Sequence, residues 1–485
     1  MKKYEKVFKS DYEQWYQENE AYRADVKNDP RRLHYHLMPE TGWLNDPNGL
    51  CQFHGVYHIY YQYTPFEPTG ELKLWGHYTT RDFIHYTQEE PFLYPDTDFD
   101  AHGAYSGSAF VENDTIHYFY TGNVKYFDRP DYDYIMSGRG SNTIHFTSTD
   151  GYHISPKKVL LTNSDYPSDM SGHIRDPKIL KVRGVYYMVL GARSANDCGM
   201  VLMYRSEDLE HWTFFRKITT EEPFGYMWEC PDLFYLDGQL LLLSCPQGVK
   251  PRGVDFENVH QCTVMNLDID FENNTCLIDD VNDIRLVDRG FDFYAPQTFE
   301  DENGRRILIG WMGIPDADYT NPTVTAGWQH ALTLPRQLHH RNGRLIQEPV
   351  EELKSLRSNK RTSDIKNSFT DQQSPLVYEA EIRFASCEDM EMTLREGVRL
   401  IWKDRLLVLD LGACGAGRTS RKVELQELKD LRIFSDNTSL EIFVNSGEEV
   451  FTSRVYGDLG KVKLEGRFEG RMDMYEMNAF QIEHS

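Results

Sequence analysis

Five stretches of this chain repeat one pattern: a polar motif, a short strand, a polar turn and a second strand, mostly aromatic-rich. They read DPNGLCQFHGVYHIYYQY (46–63), SGSAFVENDTIHYFYTG (106–122), RDPKILKVRGVYYMVLGA (175–192), ECPDLFYLDGQLLLLSCP (229–246) and YAPQTFEDENGRRILIGWMG (294–313). Their turns carry His-Gly, Asn-Asp, Arg-Gly, Asp-Gly and Asn-Gly, which are hairpin signals. An interval of roughly 50–70 residues between units suits a blade of about four strands. The repeat predicts an all-β chain, with a five-bladed β-propeller over residues 31–345. In such a fold the innermost strands line a central channel.

Three of the motifs place a carboxylate at an equivalent position. Asp46 lies in Trp-Leu-Asn-Asp-Pro-Asn-Gly, Asp176 in Arg-Asp-Pro and Glu229 in Trp-Glu-Cys-Pro-Asp. Taken singly, the first is a turn, the second a surface salt bridge and the third a solvated side chain. Taken as equivalents in a radial repeat, they meet in one pocket. Converging carboxylates are the equipment of glycoside hydrolysis.

The chain has 485 residues, too many for one ordinary core, so a second domain is expected. Residues 1–30 read as a charged helical segment packed on the propeller. Residues 346–361 read as a linker, and 362–485, with strands alternating between turn signals, as a β-sandwich. A net charge of −24 excludes nucleic acid and anionic membrane as partners. No stretch has the length of a membrane span, and the N-terminus lacks the apolar run of a signal peptide. The eight cysteines form no Cys-x-x-Cys. They read as free thiols, which suits a cytoplasmic location. His34 with His36, and His339 with His340, come without a third ligand, so neither a metal nor a cofactor is expected.

At this point the residues carry a family resemblance. WLNDPNG (43–49), YQYTP (61–65), WGHYTT (75–80), YSGSA (105–109), RDP, GYMWECPD (225–232) and DFYAPQ (292–297) resemble, in order, the signatures of glycoside hydrolase family 32. That family of β-fructosidases includes invertases, fructan hydrolases and bacterial sucrose-6-phosphate hydrolases. CPQG (245–248) and GWQHALTLPRQL (327–338) resemble most the bacterial sucrose-6-phosphate hydrolases. The resemblance implies a retaining cleavage of a β-fructofuranosyl bond. Asp46 would be the nucleophile, Glu229 the acid and then base, and Asp176 the stabiliser of the transition state. The substrate would be a small sugar: sucrose, sucrose 6-phosphate or a fructo-oligosaccharide.

The residue contexts suggest how each acid is tuned. Asn45 can donate to Asp46. Arg175 would hold Asp176 ionised. The apolar flanks Trp228 and Cys230 would keep Glu229 protonated. Gln62, Trp75, Tyr105 and Ser106 match family positions around the fructose ring, and Asp292, Tyr294 and Trp311 on the fifth unit are further candidates. Lys73, Lys250 and Arg252 are candidate cations for a phosphorylated substrate.

Overall fold

The computed structural model describes residues 6–272, 277–278 and 281–485. Two short helices, α1 (Lys9–Glu18) and α2 (Glu20–Lys27), come first. Their apolar residues seal two small clusters on the sheets: Tyr12 packs with Leu72, Leu74 and Tyr94, and Val26 with Met312 and Trp328. The remainder is all-β.

Five sheets of four to six strands follow one another along the chain. Each begins with an inner strand holding one of the repeated motifs: Gly42–Phe53, Ala104–Glu112, Met170–Val182, Met227–Leu236 and Tyr294–Glu300. Each inner strand packs against the inner strand of the next sheet, and the fifth against the first, in a propeller-like arrangement. The first, third and fourth of these strands are buried along most of their length because both of their faces meet protein.

The inner strands share an irregularity. Pairing with the second strand slips between Leu44 and Pro47, Ala104 and Gly107, Arg175 and Lys178, Glu229 and Asp232, and Tyr294 and Gln297. Such a bulge turns a side chain out of the strict up-down alternation. Three of them place a non-glycine residue at positive φ: Asp176 (66°), Cys230 (47°) and Ala295 (44°). Pro177, Pro231 and Pro296 sit within a bulge, where a missing N–H costs no ladder bond, and Pro47 closes the first one. These prolines and Gly107 line a tight hollow of about 20 Å³ reached by all five inner strands.

The C-terminal domain is β-sandwich-like. Its nine strands register as one connected sheet, because the 18-residue strand Tyr378–Arg395 is shared. It pairs with Lys463–Met477 along its length, with Asp430–Asp436 at one end and with Val398–Lys403 at the other. Residues 346–361 are not a linker. They complete the strand Arg344–Pro349, form the 3-10 turn Glu351–Leu356 and begin the strand Arg357–Thr370. Val350, Leu353 and Leu356 are buried in the main core, so this charged stretch is ordered by its apolar minority. Nor does 362–485 stay apart: Gln481–His484 pairs in parallel with the outer strand of the first sheet.

A buried ionic network fastens the two parts. His36 touches Asp436 at 2.8 Å and Glu441 at 3.0 Å, and Arg336 joins Glu441 (2.6 Å) to Asp288 (3.2 Å). Gly290 allows the close approach beside it, since a Cβ there would lie 1.9 Å from the Thr452 carbonyl oxygen. Burial pulls the His36 pKa down, but its bonds to Asp436 and Glu441 outweigh this and leave it raised. A raised folded-state pKa gives stability that is complete below the unfolded value, ~6.5, and is lost as pH rises through the folded value. His36→Gln should therefore lose about 3–5 kcal/mol near pH 6. In denaturant melts the gap to the unaltered chain should narrow as pH rises; a gap independent of pH would show His36 to be neutral in the folded state.

Candidate active site

One open cavity of about 410 Å³ collects most of the expected residues: Asn45, Asp46, Gln62, Tyr105, Ser106, Arg175, Asp176, Glu229, Tyr294 and Trp311. They arrive from all five sheets, at the ends of the inner strands and their hairpin partners. Cys230, the bulged residue after Glu229, links the carboxylates. Its backbone N–H donates to Asp176 Oδ2 at 2.9 Å, and its thiol reaches Asp46 Oδ2 at 3.6 Å.

Asp46 sits in a closed ring of hydrogen bonds. Asn45 Nδ2 donates to Asp46 Oδ1 (2.9 Å) and to Gln62 Oε1 (2.8 Å). Gln62 Nε2 donates to Ser106 Oγ (2.5 Å), and the Ser106 hydroxyl donates to Asp46 Oδ2. Trp43 Nε1 fixes the Asn45 carbonyl at 2.8 Å, so the amide must present its N–H groups to Asp46 and Gln62. Burial raises the Asp46 pKa, and the Ser106 and Asn45 donors restrain the rise.

The cation next to Asp176 in sequence serves Glu229 instead. Arg175 directs Nε (3.1 Å) and Nη2 onto Glu229 Oε1. Glu229 Oε2 accepts from Tyr294 OH (2.6 Å) and Gln247 Nε2 (2.8 Å). Burial pushes the Glu229 carboxyl up, but Arg175 and Tyr294 outweigh it and leave its pKa below the ordinary value. Asp176 shows the opposite balance. Burial lifts its pKa, Arg175 opposes, and the nearby Glu229 and Asp46 charges add to the rise, to about 7. The balance expected from sequence is therefore reversed: Arg175 acts most on Glu229, whose pKa is lowered, and burial leaves that of Asp176 raised.

Four expected residues lie outside the cavity lining: Trp75, Asp292, Lys250 and Arg252. Trp75 is fully buried and donates from Nε1 to the Tyr105 carbonyl (3.1 Å), so it supports a lining residue from behind. Asp292 is fully buried and turned toward the C-terminal domain. It pairs with Arg418, accepts from the Arg454 backbone N–H (2.7 Å) and from Tyr319 OH (2.9 Å), and so forms part of the domain junction. Lys250 is exposed elsewhere, and Arg252 lies over the rings of Phe224 and Phe256. Lys73 does line the cavity, 4.9 Å above the Trp43 ring, and burial pulls its pKa down to about 7 despite Asp46. The sequence reading missed Trp43, Tyr134, Arg139, His173, Arg193, Tyr226 and Gln247 in the lining. Trp43, Tyr226 and Gln247 stand inside quoted motifs; the others carry no repeat signal.

Comparison with known proteins agrees with this architecture. Residues 36–349 match the model of the glycosyl hydrolases family 32 N-terminal domain, and residues 352–471 that of the family 32 C-terminal domain. A sucrose-6-phosphate hydrolase of Bacillus subtilis is 36% identical over 474 residues, covering 95% of this chain and 96% of that protein. The solved sucrose-6-phosphate hydrolase of Lactobacillus gasseri superposes with a TM-score of 0.86 at 28% identity, covering 97% and 98% of the two chains. A variant of a Bombyx mori family 32 β-fructofuranosidase, solved in complex with sucrose, gives 0.80 at 28% identity, covering 97% and 99%. With both of its domains matched in order and a relative above one-third identity along nearly its whole length, the chain belongs to glycosyl hydrolases family 32.

Proposed function

We propose that this chain is a retaining β-fructofuranosidase that splits sucrose, sucrose 6-phosphate or both. Its five sheets are read as five blades of a propeller, with the catalytic domain running from about residue 31 through the strand Arg344–Pro349. The observation that carries the proposal is the meeting of Asp46, Asp176 and Glu229 around Cys230 in one open cavity. Unpaired thiols at Cys51, Cys198, Cys230, Cys245, Cys262, Cys387 and Cys414 fit a reducing compartment, and so the cytoplasm.

In this reading Glu229 gives a proton to the oxygen bridging fructose and the leaving sugar. The bond from that oxygen to the anomeric carbon breaks, and an Asp46 oxygen bonds to the carbon, forming an ester. Glu229, now ionised, takes a proton from water, whose oxygen displaces Asp46 and completes retention. Asp46 needs to be anionic for this, and Asn45, Ser106 and the Cys230 thiol supply three donors to its two oxygens.

The proton inventory needs one further step. The three acids titrate as a coupled set. Burial raises Asp176 within this set, while Arg175 and Tyr294 lower Glu229, a balance that favours the proton on Asp176. Fructose hydroxyls donating to Asp176 would favour its ionised form. The same proton then resides on Glu229, where the reaction uses it. Binding the correct ring would thus arm the acid.

A second reading, action on short fructo-oligosaccharides, is favoured by one feature. Tyr126, Phe127, Tyr132 and Tyr134 are exposed on the segment after the second strand of the second sheet, and Tyr134 reaches the cavity. Such ring faces suit the apolar face of a further sugar.

Glu229→Ala should lose ~10²–10⁴ in rate on sucrose. It should lose far less on a nitrophenyl fructofuranoside, whose leaving group needs no proton; equal losses on both would rule out the acid role. Asp46→Asn should be nearly inactive, and mass spectrometry of a trapped fructosyl enzyme should place the adduct on Asp46. The alkaline limb of kcat/KM reports loss of a proton from this coupled set, within which Asp176 is raised to about 7. Arg175 lowers the pKa of both Glu229 and Asp176. Arg175→Gln should therefore move that limb to higher pH, and a stationary limb would refute the coupling.

A further inference from the structure

The cavity wall beyond Glu229 gathers cations, with the exposed Asp316, paired to His260, as the further carboxylate on that rim. Three guanidiniums line it: Arg139, Arg175 and Arg193. Arg175 is committed to Glu229. Arg193 pairs with Asp197 at 2.7 Å, but the Asp197 side chain is 64% exposed, so the pair is screened by water. Arg139 is different. It is 1% exposed, and among the described residues it forms no ion pair. It bonds only to neutral groups: Asn123 Oδ1 (2.7 Å), His173 Nδ1 (3.2 Å) and Tyr134 OH (3.4 Å), and its Nε has no partner.

His173 does not change this count. Its Nδ1 faces the N–H groups of both Arg139 and Arg175 (2.9 Å), so it must accept, and the ring is neutral. Burial, with Arg175, Arg139 and Arg193 around it, holds its pKa down to about 2. A buried cation without a counter-ion is costly. The chain has 76 acidic residues and a net charge of −24, so a protein counter-ion was abundantly available. Glu229 acts on Arg139 only through its field, so an anionic group entering the cavity would supply the bonded negative charge that this guanidinium lacks.

We propose that this wall recognises a phosphomonoester on the leaving sugar, with Arg193 as the direct contact and Arg139 as the unscreened charge behind it. The assignment rests on the proposed function in one respect: the leaving sugar lies on the Glu229 side. Arg193 is suited to direct contact because it is partly exposed and braced on the Tyr226 ring at 4.5 Å, and because Asp197 is a weak competitor. Its planar fork matches a phosphate. Lys73, the other cation in the cavity, lies beside Trp43 and feels Asp46, on the fructose side in this reading.

The test compares kcat/KM for sucrose 6-phosphate and sucrose in the unaltered chain, Arg193→Gln, Arg139→Gln and Lys73→Met. The preference for the phosphorylated sugar should fall about tenfold to a hundredfold in each arginine variant. An unchanged preference in both, or one lost in Lys73→Met but kept in Arg193→Gln, overturns the wall. Binding of glucose 6-phosphate, glucose and inorganic phosphate, followed by calorimetry, gives a readout independent of turnover. Tight binding of glucose 6-phosphate that depends on Arg193 supports the wall even in a chain that splits neither sugar, a result that would sink the proposed activity alone. Equal binding of glucose and its phosphate, or inorganic phosphate binding as tightly as glucose 6-phosphate, overturns it.

Discussion

The bulge in each inner strand is the constraint on which the site depends. A regular strand sends its side chains alternately to its two faces, here into the packing between neighbouring sheets. At Leu44–Pro47, Arg175–Lys178 and Glu229–Asp232 the pairing slips instead. Asp46 and Asp176 lie within their slips and Glu229 at the edge of its own, and all three are gathered in the open cavity. The backbone bears some cost, with Asp176 and Cys230 at positive φ. The surrounding ring of buried strands holds these residues in place, and the Cys230 N–H that the bulge frees becomes the donor to Asp176.

Electrostatics then separates three acids that would otherwise resemble one another. One cation, Arg175, is shared unequally, with its hydrogen bonds given to Glu229 while Asp176 receives only its field. Asp46 has no such cation bonded to it and relies on neutral donors. The result is a divided set: Glu229 is held low, while burial raises both Asp46 and Asp176, the latter to about 7. A single proton can move within such a set when a ligand changes the donors around one member.

Much of this was legible in the sequence because it is periodic. The five hairpins, the three acids and the ring partners Asn45, Gln62 and Ser106 all sit in repeated or motif positions, and all reach the cavity. The failures have a common cause. Arg175 precedes Asp176 in the chain, but successive strand residues point apart, so its partner comes from another sheet. Asp292 lies next to the fifth motif yet faces the neighbouring domain. Arg139, His173 and Gln247 reach the site from positions the repeat does not mark, and only packing brings them together. The charged stretch 346–361 looked like a linker because its few apolar residues are spaced for burial in a 3-10 turn, too short a pattern to read by period.

The strand Gln481–His484 lies along His85–Leu93, far earlier in the chain. The outer edge of the first sheet therefore stays uncovered through synthesis of nearly everything between them. During that time it offers a row of free N–H and C=O groups to any other extended chain. Translation speed and chaperone occupancy, more than equilibrium stability, would then set how much of this protein escapes aggregation in the cell.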